Sequence, residues 1–362
     1  MKKIVIAALL LTTGRAIAQQ DSSIKTEEPS PLSFSAYVEA YYSYDGNTPA
    51  DHNKAPFFYS HNRHNEFNVN LAFVKAAYSS KNIRGNLAIG AGTYMTANYA
   101  AEPGTLKNIY EANAGIKLSR KKNLWLDAGI FSSHIGFESA VSKDCWAVTR
   151  TMAAESSPYF EAGAKLTYTS DNKKWLLSAL ALNGWQRITR VDGNSLMSFG
   201  TQVQYIPSKN LLLNYSTFIG TDQPDSSRRM RYYHNFYSTI SIGKFGILPS
   251  FDIGMEQKAK GSNAMNLWFA PVLRLRYTLN EQWKIALRGE YYADRHGVII
   301  NTGTPNGFKT SSYSFNVDYA PVPAALLRME IRTFKSRDDV FIKNNTPKDT
   351  DHFLTASLAI SF

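Results

Sequence analysis

The stretch WKIALRGEY, residues 283–291, decides the fold. Its odd-numbered positions are apolar or aromatic apart from one glycine, and its even-numbered positions carry Lys, Ala, Arg and Glu. Successive side chains of a β-strand point to opposite faces, so this strand has one apolar and one charged face. The same alternation recurs in FEAGAKLTY at 160–168 and in YSFNVDY at 313–319. The pattern predicts strands that separate hydrocarbon from water.

About sixteen such segments follow one another along the chain. They lie near 32–44, 65–78, 83–94, 109–119, 123–135, 158–169, 174–186, 196–206, 210–220, 231–243, 245–256, 264–279, 282–293, 310–320, 323–334 and 351–362. Short turns such as 79–82 and 120–122 alternate with long loops such as 95–108 and 136–157. Short periplasmic turns, long external loops and an even strand number are typical of outer-membrane barrels. The sequence therefore predicts an all-β fold, a transmembrane antiparallel up-and-down β-barrel of about 16 strands.

The N-terminus has the three parts of a Sec signal peptide. Basic residues Lys2 and Lys3 precede an apolar run at 4–11, and AIA at 16–18 forms a small-x-small cleavage site. We predict a signal peptide at 1–18, a flexible periplasmic leader at 19–31 and a barrel at 32–362. This order predicts export to the outer membrane of a Gram-negative cell.

The aromatic residues also fit a barrel in a membrane. Aromatics make up 13% of the chain, although 19% of it is charged. Six aromatics share the parity of the apolar face and lie beside the short turns: Tyr168, Trp175, Tyr205, Tyr277, Trp283 and Tyr319. Such a cluster predicts an aromatic girdle at the periplasmic interface of the lipid bilayer. The last strand ends in Phe362, and a terminal aromatic there is similar to the signal that the β-barrel assembly machinery reads.

Four further stretches carry a family resemblance. They are NEFNVNL at 65–71, SHIGFES through CW at 133–146, ESSPY at 155–159 and NGWQ at 183–186. With these stretches the chain resembles the family called putative β-barrel porin-2, or OmpL-like, which is common in Bacteroidetes. The resemblance implies an outer-membrane barrel of the porin type, and it implies little about the solute.

Strand parity assigns charged side chains to the lumen. On the first six strands these are Glu39, Glu66, Arg84, Glu111, Asp127, Glu161 and Lys165. On the later strands they form an arginine row of Arg274, Arg276, Arg288, Arg328 and Arg332. An acid-leaning wall opposite a basic wall would create a transverse field that orients dipolar solutes. The alternative is that any water-filled lumen needs charges, and that some segregation arises by chance.

The overall charge favours anions as solutes. The formal charge is +11 and falls by three, to +8, when Lys2, Lys3 and Arg15 leave with the signal peptide. These positive charges are interleaved with strands and form no stripe on one face, which argues against nucleic-acid binding. The sequence therefore predicts a mild anion preference.

The third long loop, at 136–157, is a candidate constriction. Its charged and anchoring side chains are Glu138, Lys143, Asp144, Trp146, Arg150 and Glu155. A long loop of mixed charge with an aromatic anchor predicts a segment that folds into the pore and narrows it. The alternative is a surface loop that packs on its neighbours.

Catalytic and metal-binding interpretations have little support. Ser133 and His134 are adjacent, so on a strand they would point to opposite faces and could not form a catalytic dyad. His61 and His64 have the spacing of two metal ligands, yet no third ligand is near in sequence. The sequence therefore predicts a protein that is no enzyme and needs no cofactor.

The prediction that best fits these features is an outer-membrane porin for passive diffusion of small polar solutes or ions. Lipid, the small solutes and the assembly machinery would be its partners, and a homotrimer is one expected assembly. The alternative is a barrel with a closed lumen that serves in surface adhesion or interaction through its long loops. An outer-membrane hydrolase is a more distant alternative.

Overall fold

The computed structural model describes residues 30–362. The predicted signal peptide and the leader up to residue 29 lie outside the described residues. Residues Leu32–Phe362 form one compact unit. Within the described residues, no helix is long and apolar enough to cross a membrane.

Sixteen strands form a closed antiparallel barrel, which confirms the predicted fold class. The barrel strands are β1 (Leu32–Asp45), β2 (Phe67–Ser79), β3 (Ile83–Ala91), β4 (Ile109–Lys117), β5 (Asn123–Ser132), β6 (Phe160–Thr169), β7 (Trp175–Leu182), β8 (Ser198–Ser208), β9 (Leu211–Gly220), β10 (Arg231–Ile242), β11 (Phe245–Gln257), β12 (Met265–Thr278), β13 (Trp283–Asp294), β14 (Phe308–Val322), β15 (Ala325–Ser336) and β18 (Thr350–Ser361). Each strand pairs with its neighbours in sequence, and β18 pairs with both β15 and β1 to close the cylinder.

The long loops carry the remaining regular structure. Helix α1 (Thr93–Asn98) follows β3, and helix α2 (Met152–Glu155) precedes β6. A small hairpin of β16 (Phe341–Lys343) and β17 (Thr346–Lys348) stands apart from the barrel in the last loop. We call the end of the barrel with these segments the long-loop end, and the opposite end the short-turn end.

Strand β3 ends three residues earlier than the alternation predicts, and glycine explains the difference. Gly92 has a φ of 125°, a conformation that other residues rarely adopt. A Cβ at Gly92 would lie 2.5 Å from the backbone oxygen of Asn70, so a side chain has no room there. The chain leaves the sheet at this point and begins α1.

The two faces of each strand meet different surroundings, as the alternation predicts. On the outer face, Leu287, Phe315 and Ile331 are register partners on three adjacent strands, and all three are exposed. On the inner face of β1, Glu39 is fully buried between the exposed outer residues Val38 and Ala40. Exposed apolar residues outside and buried charges inside are the arrangement of a barrel that stands in lipid.

The aromatic girdle consists of cross-strand pairs at the short-turn end. Trp175 stacks on Tyr205 with ring centroids 4.2 Å apart, and Trp283 stacks on Tyr319 at 4.5 Å. Both are direct register pairs on the outer face. Such rings, apolar in body and polar at one tip, suit the boundary between hydrocarbon and water.

Candidate functional site in the barrel lumen

The third long loop, which we define as residues 133–159, lies inside the barrel. Its tip reaches the short-turn end, because Lys143 donates a 2.8 Å hydrogen bond to the backbone oxygen of Pro323 in the turn after β14. The indole of Trp146 lies under the guanidinium of Arg276, 4.4 Å from its carbon atom. A Cβ on Gly246 would come within 2.7 Å of that indole. The loop therefore runs through the lumen from one end to the other.

The arginine row holds this loop by its backbone. Arg288 donates to the carbonyl of Thr149 at 2.9 Å, and Arg332 donates to the carbonyl of Arg150 at 2.7 Å. Arg328 donates to the carbonyl of Cys145 at 2.8 Å and also bonds that of Ser142. Backbone acceptors fix the path of the loop, because their positions do not depend on side-chain rotamers.

Two carboxylates complete the same contact. Glu330 accepts hydrogen bonds from the backbone N–H and the hydroxyl of Thr149, at 2.6 and 2.8 Å, and pairs with Arg288 at 2.5 Å. Glu290 accepts the backbone N–H of Met152 at 2.7 Å and pairs with Arg332 at 2.5 Å. The four ionised side chains are at most 1% exposed. These charges therefore bind the loop and are not accessible to a passing solute.

Glu138 and Arg150 belong to the loop itself and are buried with it. Glu138 forms an ion pair with Arg274 on β12 and accepts the backbone N–H of Thr151 at 2.7 Å. Burial opposes ionisation of Glu138, but the guanidinium groups of Arg274 and Arg150 outweigh it and hold its pKa below the ordinary value. Arg150 donates to three carbonyls of its own loop, those of Val148, Ser139 and Ala140. Arg150 therefore folds the loop back on itself.

The loop also touches the first strand. Glu39 accepts hydrogen bonds from His61 at 3.0 Å and from Asn70 at 2.9 Å, and it bonds the hydroxyl of Ser142. All three partners surround a carboxylate with no exposed area. Among the loop charges predicted from sequence, Asp144 is the exposed one.

An apolar cluster lies inside the barrel at the long-loop end. Phe57 and Phe58, from the loop after β1, project among inward side chains of the last strands. The ring of Phe58 lies 5.0 Å from those of Phe334 and Phe353, and the ring of Phe57 lies 4.7 Å from that of Phe308. Met152 of the third loop joins the same cluster. We call this cluster the apolar plug.

The first and third long loops are joined by Glu155. Its carboxylate accepts the backbone N–H of Tyr59 at 3.1 Å and that of Ser60 at 3.2 Å. Burial raises the pKa of Glu155 to about 7, although Arg150 and the two N–H groups lower it. The plug and the third loop are therefore linked through a carboxyl group that titrates near neutrality.

The wall formed by the first six strands, which we call the acid-leaning wall, has some accessible charges. Arg84 binds Asp127 through two hydrogen bonds, at 2.6 and 2.5 Å, and its side chain is 35% exposed. On the neighbouring strands Lys75 pairs with Glu111 at 2.5 Å. Lys165 lies 4.4 Å from the centre of the Phe131 ring. The sequence places Glu66 on this wall, but Glu66 precedes β2 and pairs with Arg63 in the loop before it.

The expectation that Ser133 and His134 point to opposite faces is wrong, because β5 ends before them. Both side chains reach Glu161, the Ser133 hydroxyl at 3.1 Å and the His134 Nδ1 at 2.9 Å. The other ring nitrogen of His134 faces the backbone oxygen of Thr217 at 2.8 Å. Neither ring nitrogen is directed at the serine hydroxyl, so the histidine anchors the base of the loop.

The two histidines with metal-ligand spacing face different partners. His61 points to Glu39, whereas the Nδ1 of His64 accepts the backbone N–H of Asp45 at 2.9 Å. Burial lowers the pKa of both imidazoles. Across residues 30–362, no group of three possible ligands is arranged to hold a metal ion.

Some of the residues that shape the lumen could not be predicted from the sequence. The apolar plug is the main example, because Phe57 and Phe58 stand in a polar loop outside any alternating segment. A pair of adjacent large apolar residues in such a loop was the one available signal. The partners of Glu155 also could not be predicted, since backbone donors leave no trace in a sequence.

The closed 16-strand barrel and the loop within its lumen place the protein in the class of porin-type barrels of the outer membrane. The chain belongs to the family "Putative beta-barrel porin-2, OmpL-like", whose model matches residues 31–362, and this confirms the resemblance. A search of curated protein sequences finds no match.

Solved porin structures share the fold at very low sequence identity. OmpT of Vibrio cholerae in its trimer form has a TM-score of 0.58 at 10% identity, over 91% of this chain and 99% of that one. An anion-selective porin from Comamonas acidovorans has a TM-score of 0.58 at 7% identity, with the same coverage. OmpF of Salmonella typhi has a TM-score of 0.57 at 8% identity, over 91% and 97%. At these identities the likeness shows the fold alone.

Proposed function

We propose that the protein is an outer-membrane porin through which small polar solutes and ions diffuse passively, with the third long loop as its constriction. The observation that carries the proposal is the seating of this loop against the arginine row. A loop bonded in this way narrows the lumen. No step of this function needs a cofactor or a reaction.

We propose further that the passage has a mild preference for anions. Lysines and arginines outnumber carboxylates on the inward face of the short-turn half: Lys75, Arg84, Lys117, Lys165, Arg276, Lys284 and Arg328 stand against Glu111, Asp127 and Asp318. The carboxylates are already paired, with Lys75, Arg84 and Arg328 respectively. Lys117, Lys165 and Lys284 have no carboxylate within 4.0 Å among residues 30–362. An excess of fixed positive charge raises the local concentration of anions.

One observation favours the second candidate, a barrel with a closed lumen that acts in surface adhesion or interaction. The apolar plug occupies the long-loop end, and water and ions avoid an apolar constriction. In a porin the plug must move or leave a path beside it. In the second candidate it would be permanent.

The assembly and the route to the membrane belong to the same proposal. The fold neighbour OmpT is described in a trimer form, and a homotrimer is the assembly we propose here. Export would use the Sec signal peptide, and the assembly machinery would recognise the last strand through Phe362, whose side chain is exposed.

The test is conductance in a planar lipid bilayer. Refolded mature protein should give discrete current steps, and a salt gradient should give a reversal potential of the sign expected for anions. Absence of steps from protein that is shown to be folded would favour the closed barrel. A cation-selective reversal potential would reject the anion preference but leave the porin proposal standing.

A further inference from the structure

A cavity of about 240 Å³ lies in the lumen beside the third long loop. Tyr110 on β4 and Tyr237 on β10 contribute to its walls, together with Ser133, 135–140, Pro158 and Tyr159 of the loop and the adjoining strand residues Ser132 and Phe160. On one side the lining reaches the arginine row, because Glu138 pairs with Arg274. The cavity therefore lies between the third long loop and the inner faces of β4 and β10.

Six of the lining side chains are aromatic. They are Tyr99, Tyr110, Phe137, Tyr159, Phe160 and Tyr237. Tyr99 and Phe160 stack with centroids 3.9 Å apart, and Phe137 lies 5.8 Å from Tyr237. Ser132, Ser133 and Ser139 also line the cavity, and the hydroxyl groups of Ser133 and Ser139 are already hydrogen-bonded within the protein. Flat apolar faces beside hydroxyl groups suit a ligand with C–H groups on its faces and hydroxyl groups around its edge.

One hydroxyl in this lining has an unmet hydrogen bond. Tyr159 is 8% exposed, and within residues 30–362 its Oη has no hydrogen-bond partner. This hydroxyl is itself enclosed by protein. A buried hydroxyl without a partner costs roughly 1–3 kcal/mol, so a ring movement that brings it to a ligand in the cavity would be favourable. Tyr237 is different, since its Oη already accepts a hydrogen bond of 3.2 Å from Gln204.

The cavity offers no free charge to an ion. Glu138 is the one ionisable acid among the lining residues. Its carboxylate is taken up by Arg274 and by the N–H and hydroxyl groups of Thr151. A neutral ligand therefore matches this lining better than an anion or a cation does.

We propose that this cavity is a binding site for a single neutral sugar ring, which a solute occupies on its way through the lumen. The proposal rests on the proposed porin function, because the solute must be able to enter. The volume is below the roughly 300–1,000 Å³ of sites for drug-sized ligands, so one ring fits and an oligosaccharide does not.

The experiment measures binding directly in the refolded full-length mature protein in detergent micelles. Saturation-transfer difference NMR is recorded with methyl β-D-glucopyranoside, and with the acyclic polyol sorbitol as the comparison ligand. The glucoside should show saturable transfer, strongest at its ring C–H groups, and sorbitol should show little. Tyr237→Leu removes one ring face and should weaken binding by about tenfold.

Tyr159→Phe keeps the ring and removes the hydroxyl, so it should weaken binding several-fold and tests the site even if Tyr237→Leu fails to fold. Tyr313→Phe is the matched control, because Tyr313 is exposed on the outer face, and it should bind as the parent does. Equal transfer to sorbitol, or unchanged binding in folded Tyr159→Phe and Tyr237→Leu, overturns the proposal.

Bilayer conductance is recorded on the same preparations. Current steps without glucoside binding would reject the sugar site alone, whereas absent steps would reject the porin function.

Discussion

Arg332, on the inner face of β15, donates a 2.7 Å hydrogen bond to the backbone carbonyl of Arg150 in the third long loop. Both residues are cationic, but the contact joins the guanidinium of one to the neutral backbone carbonyl of the other. The balancing charge comes from Glu290, which pairs with Arg332 at 2.5 Å. The barrel wall and the loop therefore share one buried ionic network.

Replacing Arg332 should release part of this loop. Arg332→Met removes the bond to Arg150 and leaves Glu290 with less compensation for its burial. Breaking a buried ion pair costs about 3–5 kcal/mol, so the unfolding midpoint in denaturant should fall. Single-channel conductance should rise as the loop loosens. Lys335→Met on the same strand is the control, because Lys335 is 60% exposed and should change neither quantity. Lower stability with unchanged conductance would show that the loop does not limit the current.

Gly246 and Trp146 provide an independent test at the other end of the loop. A Cβ on Gly246 would lie 2.7 Å from the indole, so Gly246→Ala forces Trp146 to move. The loop tip should shift away from Arg276, and conductance should increase without the loss of any charge. Gly289→Ala is the matched control, since its Cβ would meet Tyr313 at an ordinary 3.8 Å. Identical conductance in the two variants would contradict a constriction at this tip.

The strands could be predicted because alternation is a local property of a sequence. Leu287, Arg288 and Gly289 show which face each strand presents without any knowledge of its neighbours. The seat of the third loop could not be predicted in this way. Its contacts join residues far apart, as Thr149 and Glu330 are, and the backbone groups of the loop supply many of the acceptors. Parity placed the arginine row inside, but only the fold shows that the loop covers it.

The unpaired lysines of the short-turn half should set the ion preference. Changing Lys117, Lys165 and Lys284 together to Gln removes positive charge without reversing it. The reversal potential in a salt gradient should then shift towards cations, because the local excess of anions falls. The shift should shrink at high ionic strength, where charges are screened. Lys348→Gln, in the exposed hairpin of the last loop, is the control. An unchanged reversal potential would place selectivity elsewhere in the lumen.

Glu155 should make the joint between the first and third loops sensitive to pH. Its pKa is about 7 in the seated loop and 4.5 for the ordinary carboxyl group, so protonation favours the seated form. The stabilisation is complete below about 4.5 and is lost as the pH rises through 7. The loops should therefore loosen as the pH rises from about 4.5 through 7, with little further change at higher pH.

Conductance measured from about pH 5 to about pH 8 should rise with pH in the parent protein. Glu155→Gln imitates the protonated group, because it keeps an oxygen that accepts the N–H bonds of Tyr59 or Ser60 and carries no charge. This variant should stay at the low conductance across the range. Glu102→Gln is the control, since Glu102 likewise accepts two backbone N–H groups, those of Ile188 and Thr189, in other loops. A pH profile that persists in Glu155→Gln would assign the titration to another group.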